Sequence, residues 1–214
     1  WYYVGSCKHS DICVFSLHAI KAITTGEGGI VCTNNQNLYK KINLLKSHGI
    51  ERDKYNRHWK YDVVKIGLNY RLSDINCALG VSQLSKLNLF IKKRKIMAKN
   101  YINLFRKNKY ISFATSSMLS SYHLFIISIN FSKLKKNKEF FLKYLKKNNI
   151  FAQFHYIPIY KFSVYGKKKR SLKNSEYYFL NSVSIPLYYD LSEKDQKYVA
   201  RKIIAFIDKY KNEK

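Results

Sequence analysis

The chain opens with two short apolar runs separated by a loop. Residues 12–16 and 29–33 are both rich in β-branched or aromatic side chains, and both are bounded by glycine or polar residues. Such runs are typical of short buried strands. The pattern therefore predicts a unit of strand, loop and strand at the start of the chain.

A helix is predicted directly after the second strand. Asn35 or Asn37 can cap its N-terminus, and apolar residues at helical spacing continue to Leu45. Gly49 stands where a left-handed residue would end such a helix. Residues 50–70 show little periodicity, so they are predicted to form a long loop, and loops of that length tend to be functional.

The remainder of the chain has mainly helical spacing. From Ser73 to Phe105 apolar residues recur every three or four positions, which predicts one long helix, straight or bent. Ser192 and Asp195 form a weak capping box for a last helix. Between the long helix and the last helix, the pattern predicts a strand at 122–129, a helix at 133–147, a strand at 150–156, a helix at 175–183 and an extended segment at 185–189. The last helix is predicted at 192–210.

This order of elements predicts an α/β protein with two domains. Residues 1–72 would form a first part and residues 73–108 a connecting helix. Residues 109–214 would form a small α/β domain. The chain begins with Trp1 and has no secretory signal, so we expect it to start within a longer protein.

The net charge of +27 raises nucleic acid or an anionic membrane as a partner. Nucleic-acid surfaces favour arginine, whose guanidinium binds phosphate in bidentate fashion. Here 33 of the 40 basic residues are lysine, spread over several predicted helix faces and loops. The longest apolar runs are far shorter than the roughly 20 residues of a membrane-spanning helix. We therefore expect neither nucleic acid nor a membrane as a partner.

The four cysteines show no Cys-x-x-Cys pair and no recurring spacing with histidine. Neither a zinc site nor a disulfide framework is predicted from this arrangement. We expect reduced thiols, a cytoplasmic location and no bound metal.

Residues 16–29 differ from the rest of the chain. Lys21 lies among small and apolar residues between the two predicted strands, where its ammonium would be partly desolvated. Desolvation favours the neutral amine that Schiff-base chemistry needs. Glycines at 26, 28 and 29 permit a tight turn. A hairpin with a solvated lysine would have the same spacing, so the residues alone leave both interpretations open.

Residues 16–29 resemble the lysine motif of the DegT/StrS-type nucleotide-sugar aminotransferases, which depend on pyridoxal phosphate (PLP). The common form of that motif is Ser-Phe-His-Pro-x-Lys followed by Thr-Gly-Glu-Gly-Gly. The similarity is strongest to the group that aminates a UDP-linked 4-keto-6-deoxy hexosamine on the way to pseudaminic acid. Further blocks resemble the family in order along the chain, at residues 46–49, 67–74, 78–84, 155–158 and 184–187.

The resemblance implies the C-terminal portion of a fold type I PLP-dependent transferase, with residues 1–72 as the end of its PLP-binding large domain. Lys21 would carry PLP as a Schiff base and act as the acid and base of the proton shift. Glutamate would donate the amino group, and a nucleotide-linked 4-keto-6-deoxy hexose would accept it. The resemblance also implies a homodimer whose active site is shared between subunits.

The resemblance assigns cofactor contacts to three further residues. Ser16 matches a serine that bonds the PLP phosphate, and His18 matches a histidine close to the cofactor. Asn69 matches an asparagine that family dimers contribute to the partner's phosphate site, so we expect it to act in trans. Ordinary structural roles compete at each position, namely a strand-end serine, a packed histidine and a turn asparagine.

Four residues are candidates for binding the substrate. His155 and Tyr156 match a block that shapes the sugar-nucleotide pocket, with an aromatic strand end packed on the core as the competing interpretation. Tyr61 and Arg71 are candidates for substrate or interface contacts.

The chain departs from the family pattern inside and outside the motif. Leu17 replaces the usual phenylalanine and Ala19 the usual proline. The family's Gly-Thr phosphate cup, the ring stacked on PLP and the aspartate that pairs with the pyridine nitrogen all precede the point at which this chain begins. We therefore expect the chain alone to be inactive.

Two other interpretations remain. A sugar dehydratase or a regulator of the same superfamily is one, although such a dehydratase has histidine in place of the Schiff-base lysine, and Lys21 speaks against it. A basic module that binds nucleic acid or another anionic surface is the second, and it predicts retention on nucleic acid that falls steeply with salt.

Overall fold

The computed structural model describes residues 3–52, 57, 59–113, 120–166 and 172–211. The chain divides into two compact units, Trp1–Leu87 and Asn88–Lys214. The elements of the first unit are β1 (Cys13–Ser16), β2 (Gly29–Cys32), α1 (Gln36–Leu45), β3 (Ile50–Arg52), β4 (Tyr61–Val63) and α2 (Asp74–Ser85). The helix α3 (Leu87–Phe105) begins at the boundary, and β5 (Ile111–Phe113), β6 (Phe125–Ile129), α4 (Lys138–Lys147), α5 (Lys173–Asn181), β7 (Ser182–Ile185) and α6 (Glu193–Tyr210) follow.

The two predicted strands at the start of the chain are present. They form an antiparallel pair in which Cys13 faces Cys32 and Ser16 faces Gly29. The expectation that both are buried is wrong, since Val14 is 68% exposed and Val31 is also exposed. Both side chains line a groove that is open to solvent. The apolar runs therefore predicted the strands correctly but did not predict which side chains are covered.

The predicted helix after β2 is confirmed, and Asn35 is its cap. The Asn35 side chain accepts hydrogen bonds from the amides of Asn37 and Leu38 at 2.9 and 3.2 Å. The helix ends at Leu45, and Gly49 follows in the left-handed region with φ of 70°. The Asn35 side chain therefore decides the start of this helix, whereas its end is four residues before Gly49, where the Lys46 amide donates to Ile42 O at 2.9 Å.

The prediction of a long loop over residues 50–70 is wrong. β3 and β4 pair there as an antiparallel hairpin, with Ile50 opposite Val63. Each strand has three residues, which is too few for an alternating pattern to stand out. The hairpin tip lies partly outside the described residues.

The predicted long helix is two helices, α2 and α3, separated at Lys86. The Lys86 amide bonds back to Gln83 O at 3.1 Å, which tightens the last turn of α2. Several apolar residues of α2 are exposed, with Ile75 at 84%. The apolar spacing thus predicted helix correctly but did not reveal the break.

The second unit is built on a three-stranded antiparallel sheet in the order β5, β6, β7. β5 was missed by the sequence pattern, and the strand predicted at 122–129 begins at Phe125. The strand predicted at 150–156 is reduced to a single bridge between Gln153 and Ser184. Of the helix predicted at 133–147, only Lys138–Lys147 is an α-helix, and Lys133 is the last residue of a short 3₁₀ turn that begins at Phe131.

The core of the second unit lies between the sheet and α3, α4 and α6. Tyr101 and Phe105 from α3, Phe141 from α4 and Phe206 from α6 are fully buried there together with Ile127 of β6. Among the polar groups, Gln196 is also buried and its amide donates to Met97 O at 2.9 Å. Ser192 caps α6 by accepting from the Asp195 amide, as predicted.

Tyr101 gives this core a dependence on pH. Its hydroxyl donates to Pro186 O at 3.0 Å, and burial, followed by the nearby Tyr188 and Asp195, raises its pKa. A tyrosine whose folded pKa is raised stabilises the fold below its unfolded pKa of about 10, and this contribution is lost as pH rises toward the folded value.

Tyr101→Phe should lower the free energy of unfolding by about 1 kcal/mol at pH 7, because the hydrogen bond from the Tyr101 hydroxyl to the half-buried Pro186 carbonyl is lost. Above about pH 10 the difference between the two proteins should narrow and then reverse, since only the tyrosine form gains protons on folding. Urea unfolding followed by circular dichroism between pH 7 and 11 measures this. A difference that stays constant with pH would contradict it.

Candidate active site in the Lys21 loop

Lys21 lies in the loop of residues 17–28 that joins β1 to β2, as predicted. The loop is closed at its base, where the Leu17 amide donates to Gly28 O at 2.9 Å. The Thr25 amide donates to Leu17 O at 3.0 Å, which pulls the second half of the loop onto the first. The Lys21 residue is half-buried, and its backbone amide donates to His18 O at 2.9 Å.

Ser16 and His18 hold the first half of this loop. Ser16 Oγ accepts from the His18 amide, and His18 Nδ1 accepts from the Ile20 amide, both at 3.4 Å. Because Nδ1 acts as an acceptor, the proton of the neutral ring belongs on Nε2. His18 Nε2 lies 3.5 Å from Glu27 Oε1 across the loop. The three candidates Ser16, His18 and Lys21 are thus brought together by short local contacts.

The threonine and glycine residues shape the second half of the loop. Thr24 Oγ1 donates to Leu17 O at 3.0 Å and accepts from the Gly26 amide at 2.8 Å. Thr25 Oγ1 donates to Glu27 O at 2.7 Å. Gly28 has φ of 149°, and a Cβ there would lie 2.6 Å from Thr25 Oγ1. The turn therefore requires glycine at this position for both its backbone conformation and its space.

Helix α2 supports the loop through residues that the sequence reasoning did not select. Asn76 Nδ2 donates to Thr25 O at 2.6 Å. A Cβ at Gly80, one turn further along, would lie 2.9 Å from the Thr25 methyl group. Thr25 itself is 2% exposed. The spacing of Asn76 and Gly80 places both on one face of the helix, but it does not indicate that Thr25 lies against that face.

A groove of about 790 Å³ runs beside β1 and β2 in the first unit. Its apolar lining comes from the strands and α1, including Val14, Val31 and Tyr39, while Lys46 and Arg71 add positive charge. Arg71, a candidate for substrate or interface contacts, therefore lines a concave surface. This lining also includes Glu27 and Gly28 from the Lys21 loop.

Asn69 and Tyr61 lie on other parts of the first unit. Asn69 pairs with Ser47 in an isolated antiparallel bridge, and the neighbouring Tyr70 amide donates to Lys46 O at 2.9 Å. Tyr61 stands in β4 opposite Arg52. Both Asn69 and Tyr61 are exposed. The roles predicted for them, including action of Asn69 in trans, remain predictions.

His155 and Tyr156 belong to the second unit. His155 Nδ1 is 2.7 Å from the hydroxyl of Ser184, a buried residue of β7. The Tyr156 ring stands edge-on to the His155 ring at 4.7 Å between centroids and is largely exposed. The histidine is therefore oriented by the sheet, while the tyrosine faces solvent. Their predicted part in a sugar-nucleotide pocket remains a prediction.

Among the described residues, no group of three or more His, Cys, Asp or Glu side chains could hold a metal ion.

Searched over the same residues, no helix combines the length and the apolar character needed to cross a membrane.

Comparison with known proteins places the chain in one class of proteins, an aminotransferase family. The model of the DegT/DnrJ/EryC1/StrS aminotransferase family matches residues 3–204. The UDP-4-amino-4,6-dideoxy-N-acetyl-beta-L-altrosamine transaminase of Campylobacter jejuni is 39% identical over 208 residues, which are 95% of this chain and 54% of the relative. The transaminase of the same name from Helicobacter pylori is 35% identical over 204 residues, or 94% of this chain and 53% of the relative.

Solved structures agree with this class. Helicobacter pylori PseC, an aminotransferase involved in the biosynthesis of pseudoaminic acid, superposes with a TM-score of 0.86 at 33% identity, covering 94% of this chain and 54% of that one. The putative sugar aminotransferase Spr1654 from Streptococcus pneumoniae, in its PMP-form, gives a TM-score of 0.85 at 25% identity, covering 95% of this chain and 55% of that one.

The chain belongs to the DegT/DnrJ/EryC1/StrS aminotransferase family. The resemblance drawn from residues 16–29 and the later blocks is confirmed, as is the α/β fold that it implied. The chain spans about half the length of the curated relatives it matches.

Proposed function

We propose that this chain supplies the lysine loop and the small domain of a PLP-dependent sugar aminotransferase. The enzyme would transfer an amino group from glutamate to a nucleotide-linked 4-keto-6-deoxy hexose for surface glycan synthesis. The observation that carries the proposal is the position of Lys21, which is half-buried in a loop whose two halves are joined by backbone hydrogen bonds. The chain also belongs to this family.

The residues of the loop fit PLP in their chemistry. Lys21 offers a primary amine to an aldehyde, and Ser16 offers a hydroxyl. Because Ser16 Oγ accepts from the His18 amide, its own hydrogen can donate to a phosphate oxygen. The PMP-form of the Streptococcus pneumoniae relative supports the same cofactor. When bound, PLP supplies the electron sink for the reaction.

The protein contributes position and proton transfer. Lys21 Nζ holds the cofactor and then takes and returns the proton that moves during amino transfer. A base used in this way must stay at a defined distance from its target. The contacts that tie His18 O to the Lys21 amide and Leu17 O to the Thr25 amide keep the backbone around Lys21 in place.

The other candidate residues complete this proposal. His155, oriented by Ser184, and Tyr156 contribute to the sugar-nucleotide pocket, and Tyr61 and Arg71 contribute to binding the substrate or the second subunit. Asn69 acts in trans on the partner's phosphate site in a cytoplasmic homodimer. A neutral amide suits that role because it donates to phosphate without adding charge.

Additional polypeptide is needed to complete the active site, because relatives of this class are nearly twice as long. The test is a chimaera in which this chain replaces the matching residues of the Campylobacter jejuni relative. Given glutamate, PLP and a nucleotide-linked 4-keto-6-deoxy hexose, the chimaera should release 2-oxoglutarate, and the 214-residue chain alone should not. Amino transfer by the chain alone, or none by a folded chimaera that retains PLP, would contradict the proposal.

A further inference from the structure

We propose that Asn76 of α2 is a positioning residue for Lys21, acting through the carbonyl oxygen of Thr25. This inference rests on the proposed function, because it assigns Asn76 a role in placing the amine that holds the cofactor. The juxtaposition that supports it is the bond of 2.6 Å between Asn76 Nδ2 and Thr25 O, which joins residues 51 positions apart.

The amide of Asn76 is itself oriented by the N-cap of α2. Ser73 Oγ donates to Asn76 Oδ1 at 2.7 Å and accepts from the Asn76 backbone amide at 3.3 Å. With Oδ1 occupied by the serine hydroxyl, the NH₂ group must point the other way, toward Thr25 O. The orientation of the donor is therefore set by the start of the helix.

Thr25 passes this constraint to the rest of the loop. Its amide donates to Leu17 O, its hydroxyl to Glu27 O, and its methyl group packs against α2 at Gly80. The Leu17 peptide is in turn one residue from His18, whose carbonyl accepts from the Lys21 amide. The chain of contacts thus runs from Ser73 through Asn76 and Thr25 to the backbone that carries Lys21.

Two substitutions of Asn76 distinguish the effect of its NH₂ donor from the effect of its side-chain shape. Asn76→Asp keeps the shape but places an oxygen where the NH₂ group faces Thr25 O, so attraction becomes repulsion. Asn76→Gln keeps an amide donor on a longer side chain. Asn43→Asp, on α1, is the control for a new negative charge in the first unit.

Hydrogen exchange of the 214-residue chain is the first measurement. In Asn76→Asp the amides of Leu17 and Thr25 should exchange about tenfold faster, which is the effect expected from losing one such hydrogen bond. Asn76→Gln should restore most of the protection, and Asn43→Asp should leave it unchanged. Amides of β6 and α6 must keep their protection in all variants, which shows that the second unit is folded.

Covalent labelling with PLP and borohydride is the second measurement, because a merely structural role would leave it unchanged. Labelling of Lys21 relative to the exposed Lys40 should fall in Asn76→Asp and recover in Asn76→Gln. The inference is overturned if Asn76→Asp leaves the exchange of the Leu17 and Thr25 amides unchanged, or if it speeds their exchange without lowering the labelling of Lys21. It is also overturned if these two amides are not protected in the parent chain. If the exchange results are as expected but Lys21 of the parent chain is not labelled, the cofactor role of Lys21 is rejected, whereas the contact of Asn76 with Thr25 O still holds the loop.

Discussion

Lys21→Ala in the chimaera is expected to abolish covalent attachment of PLP and to reduce amino transfer below detection. The loop brings Ser16, His18 and Lys21 together, and of these side chains only the lysine has a primary amine that can bond to the cofactor aldehyde. The backbone contacts that close the loop involve Leu17, Thr25 and Gly28, so the alanine variant should keep the loop conformation.

Borohydride reduction followed by peptide mapping measures the attachment directly. The parent should carry the pyridoxyl group on the peptide that contains Lys21, and Lys21→Ala should carry none on that peptide. Lys40→Ala, at an exposed position of α1, is the matched control and should label and turn over like the parent. If Lys21→Ala still bound PLP in a form that borohydride reduces and still transferred the amino group, the cofactor would be attached to another amine.

The parts of the fold that sequence predicted correctly are those decided by near neighbours. Asn35 and Ser192 cap their helices by accepting from amides two or three residues away, and such chemistry is visible in any window of a few residues. The loop that holds Lys21 was likewise predicted from a short segment bounded by two apolar runs, whereas its assignment to PLP rested on the resemblance of residues 16–29 to the family motif.

The errors come from contacts between distant residues and from elements too short to show a period. β3 and β4 have three residues each, and the strand predicted at 150–156 pairs with β7 through Gln153. The bond of Asn76 to Thr25 spans 51 positions. No local pattern predicts such a bond, because an asparagine side chain in the first turn of a helix usually forms hydrogen bonds with neighbouring backbone groups.

Burial was the least predictable property of the first unit. The apolar run of β1 and the apolar spacing of α2 predicted the correct kind of element, yet Val14 and Ile75 are exposed. Spacing reports which residues share a face, but it does not report whether another layer lies against that face. In the second unit the same spacing did correspond to a core, because α3, α4 and α6 surround the sheet.

Gly49→Ala is expected to destabilise the first unit by about 3 kcal/mol or more, the range of substitutions that force the backbone to move. Gly49 has φ of 70°, and a Cβ there would lie 1.8 Å from Lys65 O. That oxygen belongs to the backbone, so no side-chain rotation can relieve the overlap. The Gly49 carbonyl also accepts from the Val64 amide at 3.0 Å, which holds the two segments together.

Gly26→Ala separates the conformational cost from the overlap. Gly26 has nearly the same backbone conformation, with φ of 79°, but no atom lies within 4 Å of the position its Cβ would take. Its replacement should cost about 1 kcal/mol, the usual penalty for alanine in the left-handed region. Urea unfolding followed by the fluorescence of Trp59, which belongs to the first unit, measures the stability of this unit in proteins that also carry Trp1→Phe. If Gly49→Ala and Gly26→Ala lowered the free energy of unfolding equally, the segment around Lys65 would move freely. The close approach at Gly49 would then not hold the connection between α1 and the β3–β4 hairpin.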